Sequence, residues 1–368
     1  MVVLDVKLDG IFGFEDFEIN FTDFGDSSSP FLFKEHLKGR ERFKYKKAVI
    51  LMGPNASGKT SLGRALNEIM DFLQSGLSSD IYKIASKDEA YFTIDFVTED
   101  NIFYRFDGAI YRKEKAVTVH KYNAGIELMD SYESCLLKLQ EKDDYEPGGH
   151  YMRFPFSELK GRLNYCFTYP DRDNSQSTDE IERSVLQRTL QAVLETLDPT
   201  LTTVSISKDL KNSFIIRRDQ EEIIIQDGKL LNRDVLSSGT KEGIAVAFFL
   251  ASMMNMKAGF YYCDEHFSYI QSDIEKRIFG IMLSYIAENG QLIFTTHNTD
   301  MLDLNLPKHS YVFLRKKREQ GRFNISAVSA SDIIGEDDSS LRDAVENDVF
   351  SSLPDDSPLD VLEITYGR

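Results

Sequence analysis

A glycine-rich stretch that ends in lysine and threonine contains the residues best suited to hold phosphate. Residues 53–60 read Gly-Pro-Asn-Ala-Ser-Gly-Lys-Thr, the Gly-x-x-x-x-Gly-Lys-Thr pattern of a phosphate-binding loop. In such a loop backbone N–H groups surround the phosphates, Lys59 neutralises the β- and γ-phosphates, and the Thr60 hydroxyl ligates Mg²⁺. The predicted binding residues are Gly53, Pro54, Asn55, Ala56, Ser57, Gly58, Lys59, Thr60 and Ser61. The stretch therefore predicts a nucleotide site in which Lys59 also takes part in catalysis.

Two carboxylates follow an apolar run farther along the chain. Asp264 and Glu265 come directly after residues 259–263, which read Gly-Phe-Tyr-Tyr-Cys and are typical of a buried strand. A carboxylate at the end of such a strand can hold Mg²⁺, and the next one can orient or deprotonate an attacking water. An Asp-Glu pair after a strand is common, so the pair gains its meaning from the phosphate loop. We predict that Asp264 binds the metal together with Thr60, and that Glu265 is catalytic.

A histidine ends a third apolar run. His297 follows residues 291–296, which read Gln-Leu-Ile-Phe-Thr-Thr. A single histidine at the end of a strand is more often structural than catalytic. Its position after the Asp-Glu strand favours a contact with the γ-phosphate, and we predict that role for His297.

Two serines and a glycine precede a long apolar stretch between these motifs. Ser237, Ser238 and Gly239 stand before residues 244–256, which are predicted to form a helix. The free N–H groups at a helix N-terminus attract anions, so these residues are predicted to contact phosphate. The same residue types also form an ordinary helix cap, and the sequence leaves both interpretations open.

The elements around the phosphate loop are those that such a loop requires. Residues 48–52 predict a buried parallel strand, and residues 61–73 carry apolar side chains at helical spacing. The loop therefore joins a strand to a helix N-terminus, where the helix dipole favours an anion. This context argues against a glycine-containing turn that matches the motif by chance. Helices are also predicted at 131–142 and 179–197, and paired strands at 90–97 and 102–105.

The order of the four motifs resembles that of ABC-class ATPases, specifically the soluble branch with SMC, RecF and OLD-like heads. The resemblance implies an α/β fold: an ABC-type ATPase head with a mainly parallel core sheet, an antiparallel β-subdomain and a helical lobe. It also implies ATP and Mg²⁺ as cofactors, and a homodimer or higher homo-oligomer. In that dimer Ser238 and Gly239 would contact the γ-phosphate held by the other head.

The resemblance also divides the chain. Residues 1–330 would form the head: 1–130 the phosphate-loop half with the β-subdomain, 131–235 the helical or insert lobe, and 236–330 the half with the remaining motifs. Residues 331–368 would form an acidic C-terminal segment, which from residue 332 onward holds eleven acids and two bases. This segment is interpreted either as a solvated, partly disordered tail, or as a docking segment for a basic partner or a mimic of nucleic acid.

At a finer level the motifs look like those of the stand-alone AAA-type ATPases of bacterial restriction and phage-defence loci. Residues 53–60, 237–241 and 295–303 carry that likeness. It implies an ATPase that assembles around ATP and regulates a separately encoded effector, such as a nuclease, in anti-phage defence. The alternative is a RecF-like protein that binds DNA in an ATP-dependent manner and acts in repair. Its candidate phosphate contacts are basic residues in 34–47 and 315–322, so nucleic acid is a further candidate partner.

Composition limits the partners and the compartment. The chain has 368 residues and a formal net charge of −17, which argues against a surface that coats nucleic acid or an anionic membrane. Its three cysteines, Cys135, Cys166 and Cys263, are far apart, as expected in a reducing cytoplasm. A run of about 18 apolar residues, the length that crosses a membrane, does not occur. The Leu-Ser-Ser-Gly-Thr signature at 236–240 also differs from the Leu-Ser-Gly-Gly-Gln of membrane transporters. We therefore expect a cytoplasmic protein without a membrane partner.

Overall fold

The described part of the chain contains two six-stranded sheets, two smaller sheets of four and two strands, and helices between and beside them. The computed structural model describes residues 1–22, 34–77, 80–145, 156–170, 181–219, 221–231, 236–255, 258–319, 322–335, 340–353 and 359. The strands are β1 (Val2–Asp9), β2 (Phe17–Asn20), β3 (His36–Leu37), β4 (Arg40–Lys44), β5 (Ala48–Met52), β6 (Glu89–Val97), β7 (Ile102–Tyr111), β8 (Ala116–Gly125), β9 (Gln140–Tyr145), β10 (Tyr165–Thr168), β11 (Leu201–Ile206), β12 (Ser213–Arg218), β13 (Glu221–Gln226), β14 (Lys229–Leu230), β15 (Phe260–Asp264), β16 (Gln291–Thr295), β17 (Tyr311–Glu319) and β18 (Arg322–Ser329). The helices are α1 (Lys59–Ser75), α2 (Tyr132–Lys138), α3 (Arg183–Leu197), α4 (Ser238–Met254), α5 (Ser272–Ser284), α6 (Ala330–Ile333) and α7 (Leu341–Glu346). Within these ranges no helix has the length and apolar character needed to cross a membrane.

A six-stranded sheet in the order β10-β15-β16-β5-β17-β18 carries the phosphate loop. Its first five strands run parallel and only β18 is antiparallel. Every residue of β15, β16 and β5 is buried, as expected for parallel strands that are covered on both faces. The register brings Asp264 beside Thr295, and Thr295 beside Leu51. The carboxyl ends of these three strands therefore meet at one edge, which confirms the expected parallel core.

Helix α1 lies between this core sheet and a second sheet. Val49 and Leu51 of β5 share a hydrophobic core with Leu62 of α1 and with apolar residues of β1, β2 and β6. Ala48 and Ile50, which alternate with them along the strand, belong to a separate core with α3, α4 and α5. The alternation follows from the two-residue period of a strand. The layers are therefore the second sheet, α1, the core sheet and a helical layer.

The second sheet is the expected antiparallel β-subdomain. Its strands lie in the order β2-β1-β6-β7-β8-β9, and each neighbouring pair is antiparallel. A buried ionic cluster ties α2 to it: Arg105 donates two hydrogen bonds to the Asp95 carboxylate, at 2.8 and 2.7 Å, and the Tyr132 hydroxyl donates a third at 2.7 Å. Burial still raises the pKa of Asp95. The polar cluster therefore fixes where α2 packs on the sheet.

The helical lobe differs in detail from the sequence expectation. Helices α3 and α4 pack together beside a four-stranded antiparallel sheet, β11-β12-β13-β14. The helix predicted at 131–142 is wrong in its second half, because α2 ends at Lys138 and residues 140–145 pair with β8 as β9. Pairing with an open sheet edge outweighs the local helical pattern there. The helix predicted from Asp179 begins at Arg183, and residues 171–180 lie outside the described residues.

Part of the acidic C-terminal segment packs on the core. Val345 and Phe350 are buried, and the Phe350 ring stacks on Phe313 of β17 with centroids 4.2 Å apart. Arg342 of α7 pairs with Asp300 at 3.0 Å. Residues 341–350 are therefore not the solvated tail that composition favoured, whereas residues 360–368 lie outside the described residues.

We expect Phe350→Ala to lower the free energy of unfolding by about 3 kcal/mol, because it removes a fully buried ring and leaves a cavity against Phe313. Urea denaturation measures this change. Leu353→Ala is the control, since Leu353 is 45% exposed and should cost little. Equal stability of both variants would contradict the packing of this segment on the core.

Candidate nucleotide-binding site

The phosphate loop lies at the carboxyl edge of the core sheet, between β5 and α1. Gly53 and Gly58 have φ angles of +151° and +106°, a region that favours glycine. A Cβ on Gly53 would collide with the carbonyl oxygen of Leu314, and one on Gly58 would lie 3.0 Å from the ring of Phe14. The two glycines therefore allow the loop to curve tightly over the sheet edge.

The loop has the donors that phosphate oxygens require. No side chain caps the start of α1, so the N–H groups of its first turn remain available to an anion. Ser57 is fully buried, and its hydroxyl has no hydrogen-bond partner among the described residues. A buried hydroxyl left without a partner costs about 1–3 kcal/mol, which a phosphate oxygen would offset. The residues present therefore fit the phosphates of a nucleotide.

Lys59 lies at the base of this loop and touches the Asp-Glu strand. Its ammonium group donates to the carbonyls of Gly53 at 2.6 Å and Pro54 at 3.2 Å, and it pairs with the Glu265 carboxylate at 3.0 Å. Its backbone carbonyl accepts a hydrogen bond from the Tyr262 hydroxyl at 2.6 Å. The first turn of α1 is therefore held directly against β15, and the predicted phosphate and catalytic residues lie together.

Thr60 and Asp264 form the predicted metal-holding pair. The Thr60 hydroxyl donates to one Asp264 oxygen at 2.7 Å, and the Thr295 hydroxyl donates to the other at 2.8 Å. Burial raises the pKa of Asp264, while these two hydrogen bonds oppose the shift. One carboxylate and one hydroxyl are the kind of protein set with which Mg²⁺ binds beside phosphates and waters. The side chains present therefore fit Mg²⁺.

Glu265 occupies a constrained position directly after β15. Its φ angle is +42°, which is uncommon for a residue with a side chain. Its backbone N–H donates to the Thr295 hydroxyl at 3.1 Å and to the Thr295 carbonyl at 3.3 Å. Constrained backbone of this kind is concentrated at functional sites. The side chain is 24% exposed and borders the cavity described next.

The predicted loop residues line a cavity of about 700 Å³. The lining residues predicted from the sequence are Asn55, Ala56, Ser57, Gly58, Lys59, Thr60, Ser61 and Glu265. An adjoining cavity of about 290 Å³ is bordered by both Glu265 and His297. The structure therefore brings His297 to the neighbourhood of Glu265, in a cavity that no phosphate-loop residue borders.

The Ser-Ser-Gly residues lie elsewhere in the described chain. Ser237 caps α4 by accepting the Thr240 N–H at 3.1 Å, which is the helix-cap interpretation of this motif. Ser238 is exposed, and Gly239 lies so close to the loop after Glu265 that a Cβ would be 2.7 Å from the Tyr269 carbonyl. None of the three borders the cavity at the phosphate loop. Their predicted contact with phosphate is thus not made within one chain.

Comparisons with known proteins establish the fold. No protein-family model and no curated protein matches the chain. The SMC head bound to the C-winged helix domain of ScpA is similar over 91% of this chain and 100% of that chain, with 13% identity and a TM-score of 0.50. The SMC head domain with an extended coiled coil, derived from Pyrococcus furiosus and bound to the C-terminal domain of ScpA, is similar over 90% and 97%, with 13% identity and a TM-score of 0.52. The chain has an SMC-head fold.

The SMC-head fold confirms the fold class predicted from the order of the motifs. Three of the four motifs, the phosphate loop, the Asp-Glu strand and the His strand, meet at one edge of the core sheet, whereas the Ser-Ser-Gly motif lies apart from them. Because the sequence identity is only 13%, the similarity to these structures establishes the fold and nothing further. The assignment of nucleotide, metal and activity therefore rests on the side chains of this chain.

The mouth of the larger cavity in this SMC-head fold contains residues that the sequence reasoning missed. Phe12, in the β1–β2 turn, and Phe323, at the start of β18, border the cavity and are 36% and 56% exposed. Lys316, which belongs to the basic stretch 315–322 already predicted as a candidate phosphate contact, also borders it, and its ammonium group lies 5.0 Å from the centre of the Phe323 ring. Exposed aromatic rings beside a cation are suited to stack on a nucleobase. A pair of aromatic residues remote in sequence gives no local signal for such a site.

We expect Phe323→Ala to weaken ATP binding about tenfold, since base–aromatic stacking contributes about 1–3 kcal/mol. Calorimetric titration with ATP measures the change. Tyr91→Ala is the matched control, because Tyr91 is a 45% exposed aromatic residue of β6 that does not border the cavity. Unchanged affinity in Phe323→Ala would contradict a nucleobase at this mouth.

The basic run at 34–47 is largely occupied by contacts within the chain. Lys34 and Lys38 both pair with Glu288, at 3.0 and 2.9 Å. Lys46 is 2% exposed and donates to the Ser329 hydroxyl at 3.3 Å. Arg40 donates to the carbonyl of Ile126 at 2.9 Å. These contacts weaken the case for this run as a binding surface for nucleic-acid phosphates.

Proposed function

We propose that this chain is an ATPase head that binds ATP with Mg²⁺ at the phosphate loop and hydrolyses it. The observation that carries the proposal is the pair of contacts at the sheet edge, Thr60 to Asp264 and Lys59 to Glu265. These contacts bring together the metal-holding pair Thr60 and Asp264, the phosphate-binding cation Lys59 and the carboxylate of Glu265. A glycine-containing turn that matched the phosphate-loop motif by chance would not be expected to contact an Asp-Glu strand in this way.

The chemistry assigned to the residues is transfer of a phosphoryl group to water. Mg²⁺, held by Thr60 and Asp264, would neutralise charge on the phosphate oxygens. Lys59 would exchange its contacts with loop carbonyls and Glu265 for phosphate oxygens. Glu265 would accept a proton from the attacking water as the bond between the γ-phosphorus and the bridging oxygen breaks, giving ADP and phosphate. His297 would contact the γ-phosphate from the other side.

A second copy of the chain would complete the site. The predicted anion-binding residues Ser238 and Gly239 do not border their own chain's cavity, and Ser238 is exposed. Tyr269, beside Gly239, is 69% exposed. An exposed tyrosine next to the start of α4 fits an interface between copies, where aromatic residues are enriched. We therefore propose a homodimer, or a higher oligomer built from it, in which each α4 N-terminus faces the other copy's nucleotide.

The narrower role that we propose is control of a separately encoded effector, such as a nuclease, in anti-phage defence. It is supported by the likeness of residues 53–60, 237–241 and 295–303 to stand-alone ATPases of defence loci. We place it ahead of the RecF-like alternative because Lys34, Lys38 and Lys46 are engaged within the chain. Copurification of an effector encoded beside this chain tests the role, and steep salt-dependent DNA binding would favour the alternative.

The proposed activity is tested by the release of phosphate from ATP with and without Mg²⁺. We expect turnover that requires Mg²⁺. We expect it to be lost in Asp264→Asn, because that change replaces the metal-holding carboxylate with a neutral amide. Asp227→Asn is a suitable control, since Asp227 lies in the remote β13–β14 turn. A wild-type protein that releases no phosphate from ATP would overturn the proposed hydrolysis, and one that also fails to bind ATP would overturn the proposed site.

A further inference from the structure

A buried carboxylate of α5 holds the residues on both sides of His297. Glu275 is 2% exposed and accepts hydrogen bonds from the Thr296 hydroxyl at 2.9 Å and from the Asn298 side-chain amide at 2.6 Å. The backbone N–H of Asn298 also donates to the Thr296 hydroxyl at 3.0 Å. The turn that carries His297 is thus fixed by α5, while the imidazole is exposed and borders the cavity shared with Glu265.

A carboxylate is costly to bury at this position. Burial raises the pKa of Glu275, because the charged form loses its hydration. An apolar side chain would fill the same volume without that cost. Both Glu275 oxygens are used as acceptors, one for the Thr296 hydroxyl and the other for the Asn298 side-chain amide. The contacts therefore indicate that the geometry of the turn matters more than packing alone.

Further hydrogen bonds attach the same turn to the start of α5. Asn298 donates to the Ser272 hydroxyl at 3.0 Å, and Ser272 donates to Asp300 at 2.6 Å. The guanidinium group of Arg342 on α7 donates a hydrogen bond to the Asp300 carboxylate at 3.0 Å. These bonds do not involve Glu275, so the turn stays attached to α5 when Glu275 is changed.

We propose that Glu275 is a positioning residue for His297 in the ATP hydrolysis proposed above, on which this inference rests. Glu275 does not border the phosphate-loop cavity, and it lines the smaller cavity together with His297 and Glu265. It fixes the backbone before and after His297, and thereby the direction of the imidazole toward Glu265 and the γ-phosphate. A catalytic group that is displaced by about 1 Å can lose about 100-fold in rate.

The variant Glu275→Gln removes the charge and exchanges one acceptor oxygen for a donor amide at nearly constant volume. We expect kcat for ATP to fall about tenfold or more, with little change in KM or in the midpoint of thermal unfolding. In a His297→Ala background the same change should have no further effect on kcat, because Glu275 acts through His297. Thr296→Val removes one of the two donors and should lower kcat in the same direction.

Asp273→Asn is the matched control on the same helix. Its side chain is 94% exposed and pairs with Lys276 at 3.1 Å. It loses the same charge in the first turn of α5, so it separates a general electrostatic effect from the hydrogen bonds to the turn. We expect kcat to be unchanged in this variant.

A second measurement does not depend on turnover. The side-chain ¹⁵N resonances of His297, assigned by their absence in His297→Ala, should shift in Glu275→Gln and stay in place in Asp273→Asn. Lack of turnover in the wild type would overturn the ATPase proposal, and these resonances would still test the position of His297. Unchanged resonances, or an equal loss of kcat with and without His297, would overturn the inference.

Discussion

Replacement of Glu265 by glutamine should leave ATP bound and lower turnover about a thousandfold. The amide cannot accept a proton from the attacking water, and general base catalysis contributes about 10²- to 10⁴-fold. The change also removes the carboxylate that pairs with Lys59 at 3.0 Å. Lys59 is then free to bind phosphate, so we expect the affinity for ATP to be equal or higher. Single-turnover phosphate release and calorimetric titration measure the two quantities separately.

The control for this variant is Glu288→Gln, which makes the same isosteric change on the surface. Glu288 pairs with Lys34 and Lys38 and does not border either cavity of the site. It should keep wild-type turnover. Normal turnover in Glu265→Gln would contradict the role of Glu265 as the base, because hydrolysis would then proceed without its carboxylate.

Lys59→Ala should weaken ATP binding by about a thousandfold. Two hydrogen bonds from a charged donor to phosphate contribute about 1.5–3 kcal/mol each, and the variant loses both. In the structure the ammonium group is 3% exposed and held by the Gly53 and Pro54 carbonyls, at the base of the loop. The control is Lys276→Ala on α5, since Lys276 is 28% exposed, does not border the phosphate-loop cavity and should leave ATP binding normal.

The binding measurement requires that Lys59→Ala remains folded. The lost bonds to two loop carbonyls should lower stability, so the thermal midpoint is measured beside the affinity. Affinity within a few fold of the wild type, in a folded variant, would contradict the assignment of this loop to the nucleotide phosphates.

The sequence was most informative where a function depends on consecutive residues. The phosphate loop is a local motif whose strand and helix follow from their own apolar periodicity, and β5 and α1 are found where the sequence predicts them. Asp264, Glu265 and His297 each end an apolar strand, and parallel register brings those strand ends to one edge. For these residues, strand pattern and sheet geometry together lead to the same site.

The sequence was least informative where a residue reaches the site through tertiary structure. Phe323 borders the larger cavity because β17 pairs with β5 and β18 folds back on β17. Glu275 lies on α5 and is connected to His297 through hydrogen bonds to its neighbours Thr296 and Asn298. The sequence of an amphipathic helix does not indicate that one of its glutamates will be buried. The second half of the helix predicted at 131–142 became a strand for a similar reason, since the edge of β8 was available for pairing.

The central claim is that ATP is bound between two copies of this chain, and it is tested most directly by the solution mass of Glu265→Gln. Light scattering after size-exclusion chromatography gives that mass with and without ATP and Mg²⁺. We predict a monomer of 42.1 kDa without nucleotide and a species of twice that mass with it. Ser238→Arg should keep nucleotide binding and remove the dimer. A monomer under both conditions, with ATP demonstrably bound, would contradict the shared site.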